Sequence, residues 1–206
     1  EFPADAIRLA ETATMPPLGE REDLRHIPLI TIDPADARDH DDAIWAEPHP
    51  DIDGGFHAIV AIADVAEFVR PGSALDKEAR KRGNSCYFPD RVVPMLPEPL
   101  SNGLCSLKAQ EDRASLAVHL SFDDKGRLKN HRFTRALIRV AANISYEDAQ
   151  SGVDGAPTEA AAPRMEPALR PLLDSYTAIA SARDKRGPLE LELPEKKVVL
   201  GADGQV

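Results

Sequence analysis

The first 26 residues show no sustained apolar period. Pro16, Pro17 and Gly19 interrupt them, and they read as a linker or N-terminal extension with one short helix. From Ile27 the pattern becomes that of strands. IPLITID and AIWAE come first. The turn signal Asp53-Gly54-Gly55 follows, and then FHAIVAIAD, apolar at nearly every position, as in a strand buried on both faces. Ser73 to Arg82 carries a helix's punctuation: Ser73 to cap it, Asp76 three residues on, and Gly83 to end it in a left-handed conformation. SLAVHLSF alternates at Leu116, Val118, Leu120 and Phe122. The turn Asp124-Lys125-Gly126 then sends the chain back along a long strand through Val140. Pro171 opens a helix bearing Leu172, Leu173, Tyr176, Ile179 and Arg183, with Gly187 beyond its end.

Between these elements, Asn84 to Leu107 is punctuated by proline and glycine but keeps many apolar residues, which predicts an ordered, packed loop. Residues 151–169 are rich in Ala, Pro and Gly. They read as a flexible loop, with Ser151 to Pro163 a mobile surface insertion. LELEL and KKVVL suggest strands and Asp203-Gly204 a hairpin turn. Because only Gln205 and Val206 follow that turn, the sequence reads as an excerpt of a longer protein. Together these elements predict a mixed α/β (α+β) domain over 27–206: a twisted, largely antiparallel sheet with helices packed on one side.

Composition narrows the class. At 206 residues, 42% hydrophobic and 29% charged, the chain suits one globular domain. No apolar run is long enough to span a membrane, and the N-terminus lacks a signal peptide's basic start and apolar stretch. Cys86 and Cys105 match neither a disulfide framework nor a zinc site, which favours reduced thiols in a cytoplasm. A net charge of −10 argues against a simple nucleic-acid-binding module. Yet Lys125 to Tyr146 contains no acidic residue and includes Lys125, Arg127, Lys129, Arg132, Arg135 and Arg139. Such a stretch is either a solvated strand face or a track for phosphates.

The chemistry is concentrated in TIDPADARDHDDA. Asp33 ends a strand, and Asp39, Asp41 and Asp42 crowd the turn before the next one. Carboxylates so close repel one another unless cations neutralise them, and hard oxygen donors suit magnesium. Four could hold two ions that act on a phosphodiester. The spacing alone leaves open an acidic turn that is merely solvated. A calcium loop is excluded, because counting from Asp39 puts Ile44 where glycine is needed and Pro50 where glutamate is needed. Asp-His-Asp also resembles the short acidic motif with which some glycosyltransferases hold a metal–nucleotide.

The longer pattern resembles the ribonuclease II / ribonuclease R family of processive 3′-to-5′ exoribonucleases, whose catalytic domain is the RNB domain. TIDPADARDHDDAI looks like its signature. The likeness continues in order through AIADVAEFVRPGSALDKEARKRGNSCYFPDRVVPMLPEPLSNGLCSLK and ISYEDA, and more loosely through RDKRGPLELELPE. Several motifs in consistent order are far more specific than any one, and the YFP…VVPMLPEPLSNGLCSL stretch is closest to the ribonuclease R branch. The resemblance implies that Asp33, Asp39, Asp41 and Asp42 hold Mg²⁺ (Mn²⁺ as an alternative) at the scissile phosphate, with Asp41 most directly tied to cleavage. It implies that Tyr87 stacks near the 3′-terminal base, which suits a degrader that must accept any base, and that Tyr146 lines the RNA path. For Tyr87 a packed loop tyrosine remains the alternative, and for Tyr146 a core tyrosine at a strand end. His40 departs from the apolar or aromatic residue usual there; it is either solvated or supports a ligand from behind, a general acid or base being the other option. Asn102, Cys105 and Ser106 read as a packed wall beneath the site, and Asp64 and Arg70 receive no role.

The family's catalytic domain continues beyond such a segment, supplying basic residues at the cleaved phosphate, and oligonucleotide-binding domains flank it. The expected partner is single-stranded RNA, with the segment inactive by itself. The opposing reading is a truncated or degenerate metal- or RNA-binding fragment without turnover.

Overall fold

A computed structural model of the chain describes residues 1–189 and Val198. Nine strands are present among them: β1 Glu22–Asp23, β2 Ile30–Asp33, β3 Asp42–Pro48, β4 Phe56–Ala63, β5 Cys86–Tyr87, β6 Val92–Val93, β7 Asp112–Phe122, β8 Leu128–Arg139 and β9 Ala142–Ser145. The helices are α1 Ala4–Thr12, α2 Val65–Phe68, α3 Ala74–Arg82, α4 Tyr146–Val153 and α5 Arg170–Asp184, with short helical turns at Leu100–Leu104, Ala162–Arg164 and Met165–Leu169. Seven strands form one sheet in the order β1-β8-β7-β4-β3-β2-β9, and β5 and β6 form a separate hairpin. The five central strands are antiparallel; the edge pairings β1–β8 and β2–β9 are parallel. The mixed α/β class with a largely antiparallel sheet is thus the observed one.

Helices on one side only was the expectation, and it does not hold. Side chains alternate between faces along a strand, and both faces are covered. Trp45, Ile59, Ala61 and Ala117 pack in one cluster with Ala6 and Ala10 of α1 and Leu75 of α3. Ala46, Ala58 and Phe122 on the opposite face pack against Leu172 and Ile179 of α5. The cause is β4, whose apolar side chains on both faces need cover on both. That cover is incomplete, since Ile62, Leu116 and Phe133 remain exposed on the α5 side.

Local punctuation behaves as the residues dictate. Ser73 Oγ accepts from the Asp76 amide at 3.2 Å, and Gly83 closes α3 at φ +80°. Gly126 in the β7–β8 turn has φ +69°, and a Cβ there would lie 2.2 Å from the Ala178 carbonyl oxygen, so α5 can approach the turn only over a glycine.

Two segments depart from expectation. Residues 1–26 are not a linker. Ala6 and Ala10 of α1, one helical turn apart, are buried, Leu24 is buried beside β8, and the Arg82 guanidinium lies 3.7 Å over the Phe2 ring. Arg21 Nη2 reaches Asp64 at 2.9 Å and Glu67 at 2.8 Å, with both Arg21 and Asp64 nearly enclosed. Nor is 151–169 a flexible loop. Ala161, Ala168 and Leu169 close a core cluster over Ile30 and Ile144, while the Thr158 hydroxyl donates to Asp148 at 2.7 Å. Small alanines gave little apolar signal, yet they fit tightly against isoleucines of the sheet edge. The strands expected in LELEL and KKVVL and the turn at Asp203-Gly204 lie outside the described residues.

Asp64 is 5% exposed, and without Arg21 it keeps, among the described residues, only the longer contact to Arg135 Nε at 3.7 Å. Full loss of a buried partner costs about 3–5 kcal/mol, and the remaining arginine holds the loss to the low end of that range. Arg21→Ala is expected to lower unfolding stability by about 3 kcal/mol in urea melts. The Arg21→Ala/Asp64→Ala pair should lose less than the sum of the two single changes, and strict additivity would show that the pair does not tether the N-terminal segment.

Candidate active site

Asp33 is the last residue of β2 and Asp42 the first of β3, so the two antiparallel strands deliver Pro34–Asp41 as a turn at one end of the sheet. This turn is fixed from beneath. Buried Ser106 Oγ donates to the Arg38 carbonyl at 2.8 Å and accepts from the His40 amide at 3.1 Å. The Leu107 amide donates to the His40 carbonyl at 2.8 Å. Ser106 is itself held, its carbonyl accepting from buried Arg113 Nε at 2.7 Å. From the other side the Ala63 amide donates to the Asp41 carbonyl at 2.9 Å. The expected wall beneath the site is therefore present. Ser106 is its central residue, and Cys105 is buried with its thiol pushed up to about 12 by burial and by the Asp41 and Asp64 charges. Asn102 is not part of the wall but lines the open cavities, donating to Glu98 at 3.4 Å.

Asp33, Asp39 and Asp41 line an open cleft of about 1200 Å³ together with Tyr87; Asp42 and Tyr146 are not among its lining residues. The aspartates nonetheless feel one another. Asp41's carboxyl is raised above the ordinary range, first by burial and then by the charges of Asp39, Asp42 and Asp33. Asp42's is raised by burial and by Asp33. Two of the four are engaged by neighbours. His40 Nδ1 donates to Asp33 Oδ2 at 2.7 Å, with the Thr31 hydroxyl 3.4 Å from the same nitrogen. The Tyr87 hydroxyl donates to Asp39 Oδ2 at 2.6 Å, and that bond is the main reason its own pKa is pushed up to about 12.

His40 is thus neither solvated nor aimed at open space but braces Asp33. Tyr87 is no packed loop residue, with 65% of its surface exposed at the cleft. Tyr146 is no core tyrosine either: it is 56% exposed and begins α4 directly after Ser145, which is level with Asp33 in the β2–β9 ladder. The basic stretch of β8 proves to be a balanced strand face. Arg127 pairs with Asp123, Arg132 with Glu22, Arg135 with Glu67 and Arg139 with Asp112. Apart from Asp123, four residues from Arg127 in the turn before β8, these partners are distant in sequence and left no trace in its local pattern.

All four candidate ligands are hard oxygen donors, which by chemistry suit a divalent cation of the magnesium or manganese kind. Their present geometry is open: among the described residues no group of three or more His, Cys, Asp or Glu side chains is arranged to hold a metal ion.

The family model of the RNB domain matches residues 21–206. The chain belongs to the RNB domain family. Over 189 residues this RNB domain is 44% identical to ribonuclease R of Vibrio parahaemolyticus, covering 90% of the chain and 22% of the relative. It is 45% identical over 191 residues to ribonuclease R of Acidithiobacillus ferrooxidans, covering 92% and 43%. Mycoplasma genitalium RNase R in complex with double-stranded RNA superposes with a TM-score of 0.91 at 31% identity, covering 99% of the chain and 36% of that protein. The RNB domain described here thus spans less than half the length of these relatives. Among its described residues no helix is long and apolar enough to cross a membrane.

The raised carboxyls of Asp41 and Asp42 have a signed consequence. A carboxyl whose pKa is raised by folding favours the protonated folded state, so its contribution is lost as pH rises through the folded pKa. Without divalent metal, Asp41→Asn is therefore expected to melt at a higher temperature than wild type at neutral pH. The gap should close as pH falls below the ordinary carboxylate range. A variant that melts lower at neutral pH in metal-free buffer would contradict the crowding described here.

Proposed function

We propose that this RNB domain is the metal-bearing part of a 3′-to-5′ exoribonuclease that hydrolyses single-stranded RNA to 5′-mononucleotides in the cytoplasm. The observation that carries this reading is the gathering of Asp33, Asp39, Asp41 and Asp42 at one strand-to-turn junction, where Asp41 feels the other three. Asp33, Asp39, Asp41 and Asp42 are the residues that would hold Mg²⁺, with Mn²⁺ a substitute. Bound there, the ion would supply Lewis-acid polarisation of a phosphoryl oxygen and a lowered pKa for water.

The chain's own residues prepare the site for RNA. His40 holds one oxygen of Asp33 and so orients the other. Tyr87, tied to Asp39 through its hydroxyl, presents its exposed ring at the cleft, where stacking accepts any base. Tyr146 stands beyond the β2–β9 edge near Asp33, a position suited to the ribose of the bound strand. Asp41 sits where negative charge is densest and a cation is most favoured. Free Cys86 and Cys105 agree with a reducing compartment. One observation favours a second reading, a metal- or RNA-binding piece without turnover: the chain spans less than half the length of its relatives.

Two measurements separate these readings. Calorimetry with Mn²⁺ on this chain is expected to give binding heats that vanish in an Asp39→Asn/Asp41→Asn variant; equal heats would remove the metal assignment. A chimera can carry this chain in place of the matching 189 residues of the Vibrio parahaemolyticus ribonuclease R. It is expected to shorten 5′-labelled single-stranded RNA in Mg²⁺ and to lose roughly 100-fold or more of that rate on Asp41→Asn. Metal binding without any shortening by the chimera would favour the piece without turnover.

A further inference from the structure

Most arginines of this acidic chain are neutralised by carboxylates, those of β8 included. Arg38 and Lys108 stand in none of the ion pairs seen between described residues, whereas the β8 arginines do. For Arg38 this is unexpected, since Asp36 and Asp39 are its near neighbours in ADARDHDD. Its backbone is fixed by the Ser106 hydroxyl on its carbonyl, so its place on the turn is set. Arg38 lines the aspartate cleft and also a second open cavity of about 800 Å³, whose wall includes Lys108, Asn102 and Asn143. That second cavity has a built floor. Asn143 Nδ2 donates to the Thr31 hydroxyl at 2.9 Å and to the Leu107 carbonyl at 3.0 Å, while its Oδ1 accepts from the Ala109 amide at 2.8 Å. Of the other titratable groups on this wall, Glu98 is engaged by Asn102 and His40 by Asp33.

We propose that the second cavity is a phosphate subsite for the RNA strand, with Arg38 on the ridge between the two cavities and Lys108 on the far wall. The assignment rests on the RNA-hydrolysis reading above and adds where the strand lies. A planar guanidinium can grip a phosphodiester through two parallel N–H bonds, whereas an ammonium acts as a point charge; the pair would hold neighbouring phosphates without reading bases. It also offsets the repulsion that four aspartates exert on the incoming strand.

The test measures binding of a 5′-fluorescein oligoribonucleotide by anisotropy across a salt series, in Mg²⁺, using the whole chain with Asp41→Asn to prevent turnover. Adding Arg38→Gln and Lys108→Gln is expected to weaken binding and to flatten the slope of log K against log[salt] by about 1.4, two single-strand phosphate contacts at roughly 0.7 each. A charge-matched control, Lys77→Gln/Lys81→Gln on exposed positions of α3, should leave the slope as it was. Mn²⁺ calorimetry of Arg38→Gln/Lys108→Gln in the otherwise wild-type chain should keep its heats, which shows the aspartate site intact. A slope unchanged by the double substitution, or flattened equally by the control, overturns the subsite alone. If the Asp41→Asn chain binds no RNA at all, the functional reading fails and takes the subsite with it.

Discussion

Like charges gathered on one short turn stay together only if the backbone beneath them is held more firmly than they repel. Two carboxylates about 4 Å apart oppose each other by roughly 4 kcal/mol at an effective dielectric of about 20. A neutral hydrogen bond contributes only about 1 kcal/mol net, so no single contact suffices. Here the turn between β2 and β3 is pinned at Arg38, His40 and Asp41 by Ser106, Leu107 and the end of β4. Much else follows from that requirement. The long segment ahead of Ser106 must be ordered, and it is, through buried Leu96, Leu100 and Cys105. Arg113 must enter the interior to hold the Ser106 carbonyl.

The sheet supplies the platform for this pinning. β4 lies at its centre, paired to β3 on one side and β7 on the other, and its apolar residues on both faces make the site's support rigid. Cover on one face comes from α1 and α3, and on the other from α5 and the alanine-rich segment after α4. The N-terminal segment is thereby part of the structure, locked through Arg21 to the nearly enclosed carboxylate of Asp64.

Charge is distributed to a purpose that the net value hides. Cations along β8 balance the acidic surface, whereas among the described residues Arg38, at the aspartate cleft, and Lys108, in the neighbouring cavity, are in no ion pair. His40 and Tyr87 temper the same cluster as hydrogen-bond donors to Asp33 and Asp39. A chain with net charge −10 can in this way face an anionic polymer, because what the strand meets is the local field at the cleft and not the total.

Local sequence determined what local physics controls. Alternation and turn residues marked β3, β4, β7 and β8. Ser73, Asp76 and Gly83 marked α3, and the crowding of Asp33, Asp39, Asp41 and Asp42 marked the site. All of these depend on neighbours within a few positions. What depends on distant partners was not legible. The parallel edges β1–β8 and β2–β9, the burial of Ala6, Ala10, Ala161 and Ala168, and the pairing of β8's arginines each rest on contacts tens of residues apart. Small or charged side chains give no periodic signal of such contacts. Tertiary structure alone decided that His40 braces Asp33, that Tyr87 bonds Asp39, and that Arg38 lines two cavities at once. Each is a question of direction in space, set by how Ser106 and Arg113 fix the turn, and a residue's type does not carry its direction.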